Sequence, residues 1–375
     1  MKKISRKLPA WPQFDPKTEK RVADILRSGK VNYWTGDEGT KFEAEFASWL
    51  GVKHALAVSN GTAALQLALM ALGVGKGDEV VCTPYSFIAS STCAFNAGAK
   101  PVYADVGPDH MLNAATIEKA LTPKTKAVVV VHLFGQVADM GPILKLAKKR
   151  RLYVVEDCAQ CLGGFYRGKK VGTLGDVGCF SFCQSKHITT GGEGGMVCAK
   201  SAKVARLVRS FRDHGWKVGS QPKTFERVGY NFRLTEIQSA IGRGELARFD
   251  GWNLPTRKAL ANELVGSLFL SRWGQTLVKC WPVNTKDREA SFWLVPFVLD
   301  ETKLTVPVAT FIEALQSEGV GAYKVIWPLP AKRPVAAKLM QNTLGFWVHP
   351  TYTLREMKAD VAAFERAAER FVRTA

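Results

Sequence analysis

Apolar residues gather in four short runs along the first half of the chain, at 54–58, 78–82, 126–131 and 152–156. Each run is apolar nearly throughout, which suits strands covered on both faces; a strand with one wet face would alternate. Stretches with helical spacing stand between them at 62–72, 86–97 and 140–150. That rhythm predicts an α/β fold with a mostly parallel sheet in three layers. Ligands of such sheets sit beyond the carboxyl ends of the strands, so the residues that follow each run deserve the closest reading. An amphipathic helix is predicted over 18–28, ahead of the first strand.

Past residue 250 the pattern changes. A long helix is predicted over 252–268, strands near 277–281 and 291–299, and helices over 310–317 and 354–372, which together read as a smaller α+β domain. At 375 residues two domains are expected, a large one over 1–250 and a small one over 251–375.

Composition narrows the classes further. Hydrophobic residues are 46% and charged residues 23%, which excludes a wholly disordered or fibrous chain. The net charge of +19 favours anionic ligands. The uncharged stretch 80–99 contains Pro84, Asn96 and Gly98 with several Ser and Thr, too polar for a spanning helix. The N-terminus is basic without a continuous apolar core, so a secretory signal is not expected and a cytoplasmic location is. Eight cysteines form no disulfide framework, and Cys158 with Cys161 makes a single CxxC lacking a second pair at zinc spacing. We expect reduced thiols and no metal.

The candidate chemistry lies at the strand ends. Ser59-Asn-Gly-Thr-Ala-Ala-Leu65 leads from the first strand into a helix, where Gly61 and Thr62 could seat a phosphate; a plain N-cap turn would look the same. Asp157 stands at the tip of the fourth run, where a carboxylate needs a cationic or protonated partner. A strand at 179–182 then delivers Ser181 and Lys186 into a glycine-rich loop, where a desolvated lysine could act as an amine nucleophile. Pyridoxal phosphate needs this set: a lysine for its aldehyde, an acid for its ring nitrogen, donors for its phosphate. Phe87 or Tyr85, after the second run, could lie against its ring.

Several segments, in order, resemble the DegT/StrS-type sugar aminotransferases, which are fold-type-I pyridoxal phosphate enzymes. They are Val31-Asn-Tyr-Trp-Thr-Gly36, Ser59-Asn-Gly-Thr-Ala-Ala-Leu65, Thr83-Pro-Tyr-Ser-Phe87, Val131-His-Leu-Phe-Gly-Gln136, Glu156-Asp-Cys-Ala-Gln160, Phe180-Ser-Phe-Cys-Gln-Ser-Lys186, Gly192-Glu-Gly-Gly195 and Gly229-Tyr-Asn-Phe-Arg-Leu-Thr-Glu-Ile-Gln238. The resemblance implies Lys186 as the Schiff-base lysine and general acid/base, and Asp157 as the ring-nitrogen partner. It implies Gln160 on the phenolic oxygen, Phe87 stacked on the ring, and Gly61, Thr62 and Ser181 on the phosphate, joined by Asn231 of a second subunit in a homodimer. Tyr33 and His187 become candidates for substrate contact, His187 equally for packing.

The substrates implied are small molecules: an amino acid, glutamate first, and a keto-sugar that is usually nucleotide-linked and occasionally a keto-cyclitol. Many sugar-acting members carry a Pro-Leu-His-type segment where this chain reads Tyr323-Lys-Val-Ile-Trp-Pro-Leu-Pro330, and Lys324 there is a candidate phosphate contact. Related sugar dehydrases place a histidine at the lysine position; Lys186 favours transamination. The intact lysine, aspartate and serine argue against a non-enzymatic regulator on the same fold. No recognition motif supports a nucleic-acid partner, and no membrane partner is expected.

Overall fold

The computed structural model describes residues 8–324, 331 and 333–373. The apolar runs become strands of a seven-stranded sheet: β1 (His54–Val58), β2 (Glu79–Cys82), β3 (Lys100–Tyr103), β4 (Thr125–Val131), β5 (Tyr153–Asp157), β6 (Val177–Ser181) and β7 (Gly195–Ala199). Their order across the sheet is β1-β7-β6-β5-β4-β2-β3. Only β7 runs against its neighbours, pairing antiparallel with β1 and β6. The sheet is therefore mostly parallel, as expected.

Both faces are covered, which explains the continuous runs. Alternate residues of β4 enter two different cores: Val128 and Val130 pack with Phe134, Ile143 and Phe180, whereas Ala127 and Val129 pack with Leu65, Leu69 and Val208. The helix Gly61–Ala71 fills the second core so fully that most of its residues are buried. The predicted helix over 86–97 begins later, at Ala89. Residues 83–88 are instead a turn, fixed by the Tyr85 N–H donating to Thr83 Oγ1 at 3.0 Å. The N-terminal amphipathic pattern is the helix Pro16–Ser28, capped by Asp15 on the Thr18 N–H.

Beyond the large sheet, a π-helical turn (Phe249–Asn253) leads into the long helix Leu254–Leu270. A four-stranded antiparallel sheet follows, made of β8 (Val278–Cys280), β9 (Leu294–Leu299), β10 (Ala322–Lys324) and β11 (Thr343–Trp347) in the order β8-β9-β11-β10. Helices Val308–Ser317 and Leu354–Phe371 pack around Phe297, Phe311, Phe346 and Phe364 to give it a core of its own. A short pairing of Arg288–Glu289 with Phe165–Tyr166, which in turn pairs with Lys169–Lys170, forms a separate three-stranded sheet that ties this part to the segment after β5. Among the described residues no helix is long and apolar enough to cross a membrane. The N-terminal basic residues 1–7 and positions 325–330 of the 323–330 segment lie outside the described residues.

Candidate active site

Because β1, β2, β4, β5 and β6 are parallel, their carboxyl ends share one edge of the sheet, and the principal cavity opens there. Its volume is about 990 Å³, at the upper end of ordinary ligand pockets. Gly61, Thr62, Phe87, Asp157, Gln160, Ser181 and Lys186 all line it.

At the end of β1, Asn60 adopts an extended conformation and its Oδ1 accepts the Ala63 N–H at 2.8 Å. This starts the helix Gly61–Ala71 and leaves the N–H groups of Gly61 and Thr62 without intrahelical partners, facing the cavity at the positive end of the dipole. Glycine is required at 61: a Cβ there would stand 2.7 Å from Ser181 Cβ. The same closeness brings the Ser181 hydroxyl beside the helix start, so β1 and β6 jointly build an anion seat.

Glu156 and Asp157 end β5 on opposite faces of the sheet, and their environments differ. Glu156 accepts N–H bonds from Gly172 (2.9 Å), Leu174 (2.7 Å) and Gly175 (2.7 Å), and lies 3.1 Å from His132 Nε2. Burial alone would raise its pKa, but the His132 bond and these backbone donors outweigh that and hold it below the usual range. Since His132 Nδ1 accepts the Ala138 N–H at 3.1 Å, Nε2 carries the proton and donates to Glu156. Cys158 lies close enough to complete a possible metal trio with His132 and Glu156. Hydrogen bonds already occupy both ring nitrogens and both carboxylate oxygens, so the trio reads as structural.

Asp157, 4% exposed, has fewer donors: Ser90 Oγ at 2.7 Å and the Ala159 N–H at 3.1 Å. Here burial wins and raises its pKa. A carboxylate under-supplied with donors at the floor of a cavity suits a protonated ligand nitrogen.

Lys186 leaves β6 through a turn in which its N–H donates to Cys183 O at 2.9 Å. Its amine is desolvated, which lowers its pKa despite the opposing pull of Cys183, Asp157 and Glu193. Gln160 Oε1 accepts the Phe134 N–H at 3.0 Å, so its amide NH₂ is the group left to donate into the cavity. Of the two aromatic candidates, Phe87 lines the cavity, 56% exposed, while Tyr85 is fully buried with its hydroxyl 3.3 Å from Thr343 Oγ1.

The three substrate candidates do not line this cavity. Tyr33 is buried away from the cavity, its hydroxyl donating to Glu43 Oε1 at 3.1 Å beneath the Arg212 guanidinium. His187 is buried with Nε2 3.1 Å from Ser291 Oγ, a packing position, because the chain turns its side chain away from the one Lys186 presents. On β10 successive residues face opposite ways: Tyr323 lines the cavity, and Lys324 Nζ lies 3.9 Å from Glu313 on the helix side. Asn231 also lies outside the cavity, exposed and bridged to Asp213.

Sequence reasoning missed the opposite wall. Trp293, Tyr323 and Trp347 close the cavity from the small sheet, with Trp293 and Trp347 edge to face at 5.1 Å. It also missed Ser90, whose signal was present: a serine one helical turn past the 83–87 motif.

The family model for the DegT/DnrJ/EryC1/StrS aminotransferase family matches residues 12–347. The chain is 40% identical over 335 residues to a GDP-perosamine synthase of Caulobacter vibrioides, covering 88% of each. It is 36% identical over 359 residues to an L-glutamine:2-deoxy-scyllo-inosose aminotransferase of Streptomyces fradiae, covering 91% of this chain and 83% of that one. The X-ray structure of an aminotransferase from Psychrobacter cryohalolentis superposes with a TM-score of 0.91 at 35% identity, covering 97% of this chain and 99% of that one.

Proposed function

The chain belongs to the DegT/DnrJ/EryC1/StrS aminotransferase family, and from that premise we propose that it moves an amino group from an amino acid, glutamate in the first place, to a keto-sugar carried on a nucleotide. It is a pyridoxal-phosphate-dependent sugar aminotransferase. The observation that carries the finer reading is the single cavity in which the Lys186 amine, the Asp157 carboxylate and the Gly61–Ser181 anion seat converge.

These residues fit the cofactor on their own chemistry. Gly61, Thr62 and Ser181 would hold its phosphate, Gln160 would donate to its phenolic oxygen, Phe87 would cover a ring face, and Asp157 would keep its ring nitrogen protonated. Bound there, pyridoxal phosphate supplies a carbonyl for the lysine and an electron sink for the carbon that loses a proton. Lys186, uncharged more readily because it is desolvated, would serve as nucleophilic amine and then as the base that carries a proton from the substrate carbon to the cofactor's carbonyl-derived carbon. The aromatic wall of Trp293, Tyr323 and Trp347 excludes water from that transfer. The +19 charge supports an anionic nucleotide tail.

The working unit is a homodimer in this reading, with Asn231 completing the phosphate seat of the partner subunit. Exposure supports it: Asn231 follows a loop in which Phe225 is 66% and Val228 84% exposed, beside Trp34 and Trp216. We keep 1–250 and 251–375 as the two domains, with the cavity between them.

Borohydride reduction of the purified protein should fix cofactor to the peptide containing Lys186, and incubation with glutamate and nucleotide keto-sugars should yield an amino-sugar by mass. Turnover of a free keto-cyclitol with no activity on nucleotide sugars would shift the reading to that substrate, which likeness to the Streptomyces fradiae protein supports.

A further inference from the structure

The residues on either side of Lys186 are each held through the carbonyl by a side chain from beyond residue 250. The Trp293 indole N–H donates to Ser185 O at 2.7 Å, and the Asn253 amide donates to His187 O at 2.5 Å. Arg257 joins these two anchors: Nε donates to Asn253 Oδ1 at 2.8 Å and Nη1 to Trp293 O at 3.4 Å. The circuit therefore runs through Trp293, Ser185, Lys186, His187, Asn253 and Arg257 and closes on itself, with Lys186 as its one member facing the cavity through an amine. Across that loop, Lys186 Nζ lies 4.4 Å from the centroid of the Trp293 ring.

The backbone behind Trp293 is fixed just as firmly. Its N–H donates to Phe134 O at 3.1 Å and the Ser291 N–H to Gly135 O at 2.8 Å. A Cβ at residue 135 would stand 2.4 Å from Trp293 N, so glycine alone permits the approach. Phe134 (φ 61°) and Phe292 (φ 51°) both hold left-handed backbone, which bulky residues rarely adopt. Strain kept on both sides of one contact is characteristic of a contact with a function.

We infer that Trp293 is a positioning residue for Lys186, holding the main chain before it through the indole N–H and the amine itself against the ring face. The inference rests on the reading of Lys186 as the amine that bonds the cofactor. The chemistry explains why a ring is used rather than a carboxylate. A π face attracts the ammonium without a hydrogen bond that must break before the nitrogen can react, and the attraction grows as water is excluded. Burial depresses the amine, Cys183, Asp157 and Glu193 pull the other way, and a ring face at 4.4 Å adds to that opposing pull.

The test keeps the size of the ring and changes only its electrostatics. Trp293 is replaced by mono-, di- and trifluorotryptophan in the holoenzyme, loaded with the amine form of the cofactor so that Lys186 is free. The pH midpoint of Lys186 acetylation is then read by peptide mass. The midpoint should fall in steps with each fluorine, by about half to one pH unit in total. A midpoint indifferent to fluorination overturns the inference. Trp293→Phe and Trp293→Leu give a second reading through the rate of the amino-donor half-reaction: a loss of about 10- to 100-fold in Leu, restored only in part in Phe, which keeps a ring face but lacks the N–H donor to Ser185, is expected, and equal losses overturn the role of the ring face. Borohydride mapping of the wild type separates the two failures. Cofactor fixed to Lys186 without a fluorine effect sinks only the role of Trp293, whereas cofactor fixed elsewhere sinks the premise.

Discussion

The two walls of the cavity are made by different means. Along the sheet edge, every functional group stands within five residues of a strand end: Gly61 and Thr62 after β1, Phe87 after β2, Asp157 and Gln160 at β5, Ser181 and Lys186 at β6. The facing wall is three aromatic rings, Trp293, Tyr323 and Trp347, drawn from segments decades of residues apart and assembled by the small sheet. The first wall is polar and locally encoded, and it holds the groups to which we assign the chemistry. The second is apolar and assembled at long range, and we assign to it the shape of the entrance and the positioning of the lysine. Substitutions on the two sides should therefore differ in kind as well as in size.

The largest effect is expected at Lys186. Lys186→Ala should cut transamination by about 10⁴-fold or more and abolish the borohydride-stable link; persistence of that link on the same peptide would refute the assignment. Asp157→Asn should follow, slowing turnover by about 10²- to 10³-fold. Because the buried Asp157 carboxylate is under-supplied with donors, the melting temperature of that variant should hold or rise. An Asn enzyme with near-normal kcat would remove Asp157 from the chemistry.

Asn231 tests whether the polar wall is complete within one chain. Lys186→Ala and Asn231→Ala proteins, each inactive, should regain about a quarter of the wild-type sites when mixed and reassembled, since half the dimers are hybrids with one intact site. Demonstrated subunit exchange without recovery would exclude a shared site.

The aromatic wall predicts smaller changes. Trp347→Leu should raise KM for the keto-sugar several-fold, by about 3- to 10-fold, and leave the amino-donor half-reaction nearly unchanged, as lost uniform binding requires. Lys324→Ala should alter KM by less than about twofold, because its amine faces Glu313. Equal effects of the two substitutions would contradict the assignment of Tyr323 rather than Lys324 to the cavity side of β10.

A last comparison concerns stability. His110 packs against Tyr85 and Phe134 in the large part, and His349 against Trp347 and Trp11 near the small sheet. Burial lowers their pKa values to about 4 and about 3, and neither Nδ1 has a hydrogen-bond partner among the described residues. A depressed histidine binds fewer protons folded than unfolded, so stability is lost as pH falls below the unfolded value near 6.5 and continues to fall until the folded pKa is passed. Each should cost about 2 kcal/mol at pH 5. Melting temperatures between pH 7 and pH 5 should fall by a few degrees, and less in His110→Gln and His349→Gln; identical slopes in all three proteins would rule out these histidines as the cause.

The parts of the fold legible in the sequence were those whose signal is local. Runs buried on both faces of the large sheet are continuous in the chain, so β1, β2, β4 and β5 were visible at once. The antiparallel β7 was not, since Gly195–Ala199 is apolar like its neighbours and direction depends on which strands it enters between. The helix expected over 86–97 begins three residues late because Thr83 turns the chain, and that turn is what sends Phe87 to the cavity.

By itself the sequence determined the α/β class and the order of strand ends, and it singled out Lys186, Asp157 and the helix start at Gly61 as candidates that the fold brings to one cavity, because each depends on neighbours a few residues away. Only the tertiary structure decided that Glu156 is saturated while Asp157 is left wanting a proton, that Tyr33, His187 and Lys324 turn from the cavity, and that Trp293 meets Lys186. Those outcomes depend on which hydrogen-bond donors, cations and rings arrive from distant segments, Arg212 over Tyr33 and Trp293 beside Lys186 among them, and such arrivals leave no periodicity in the chain.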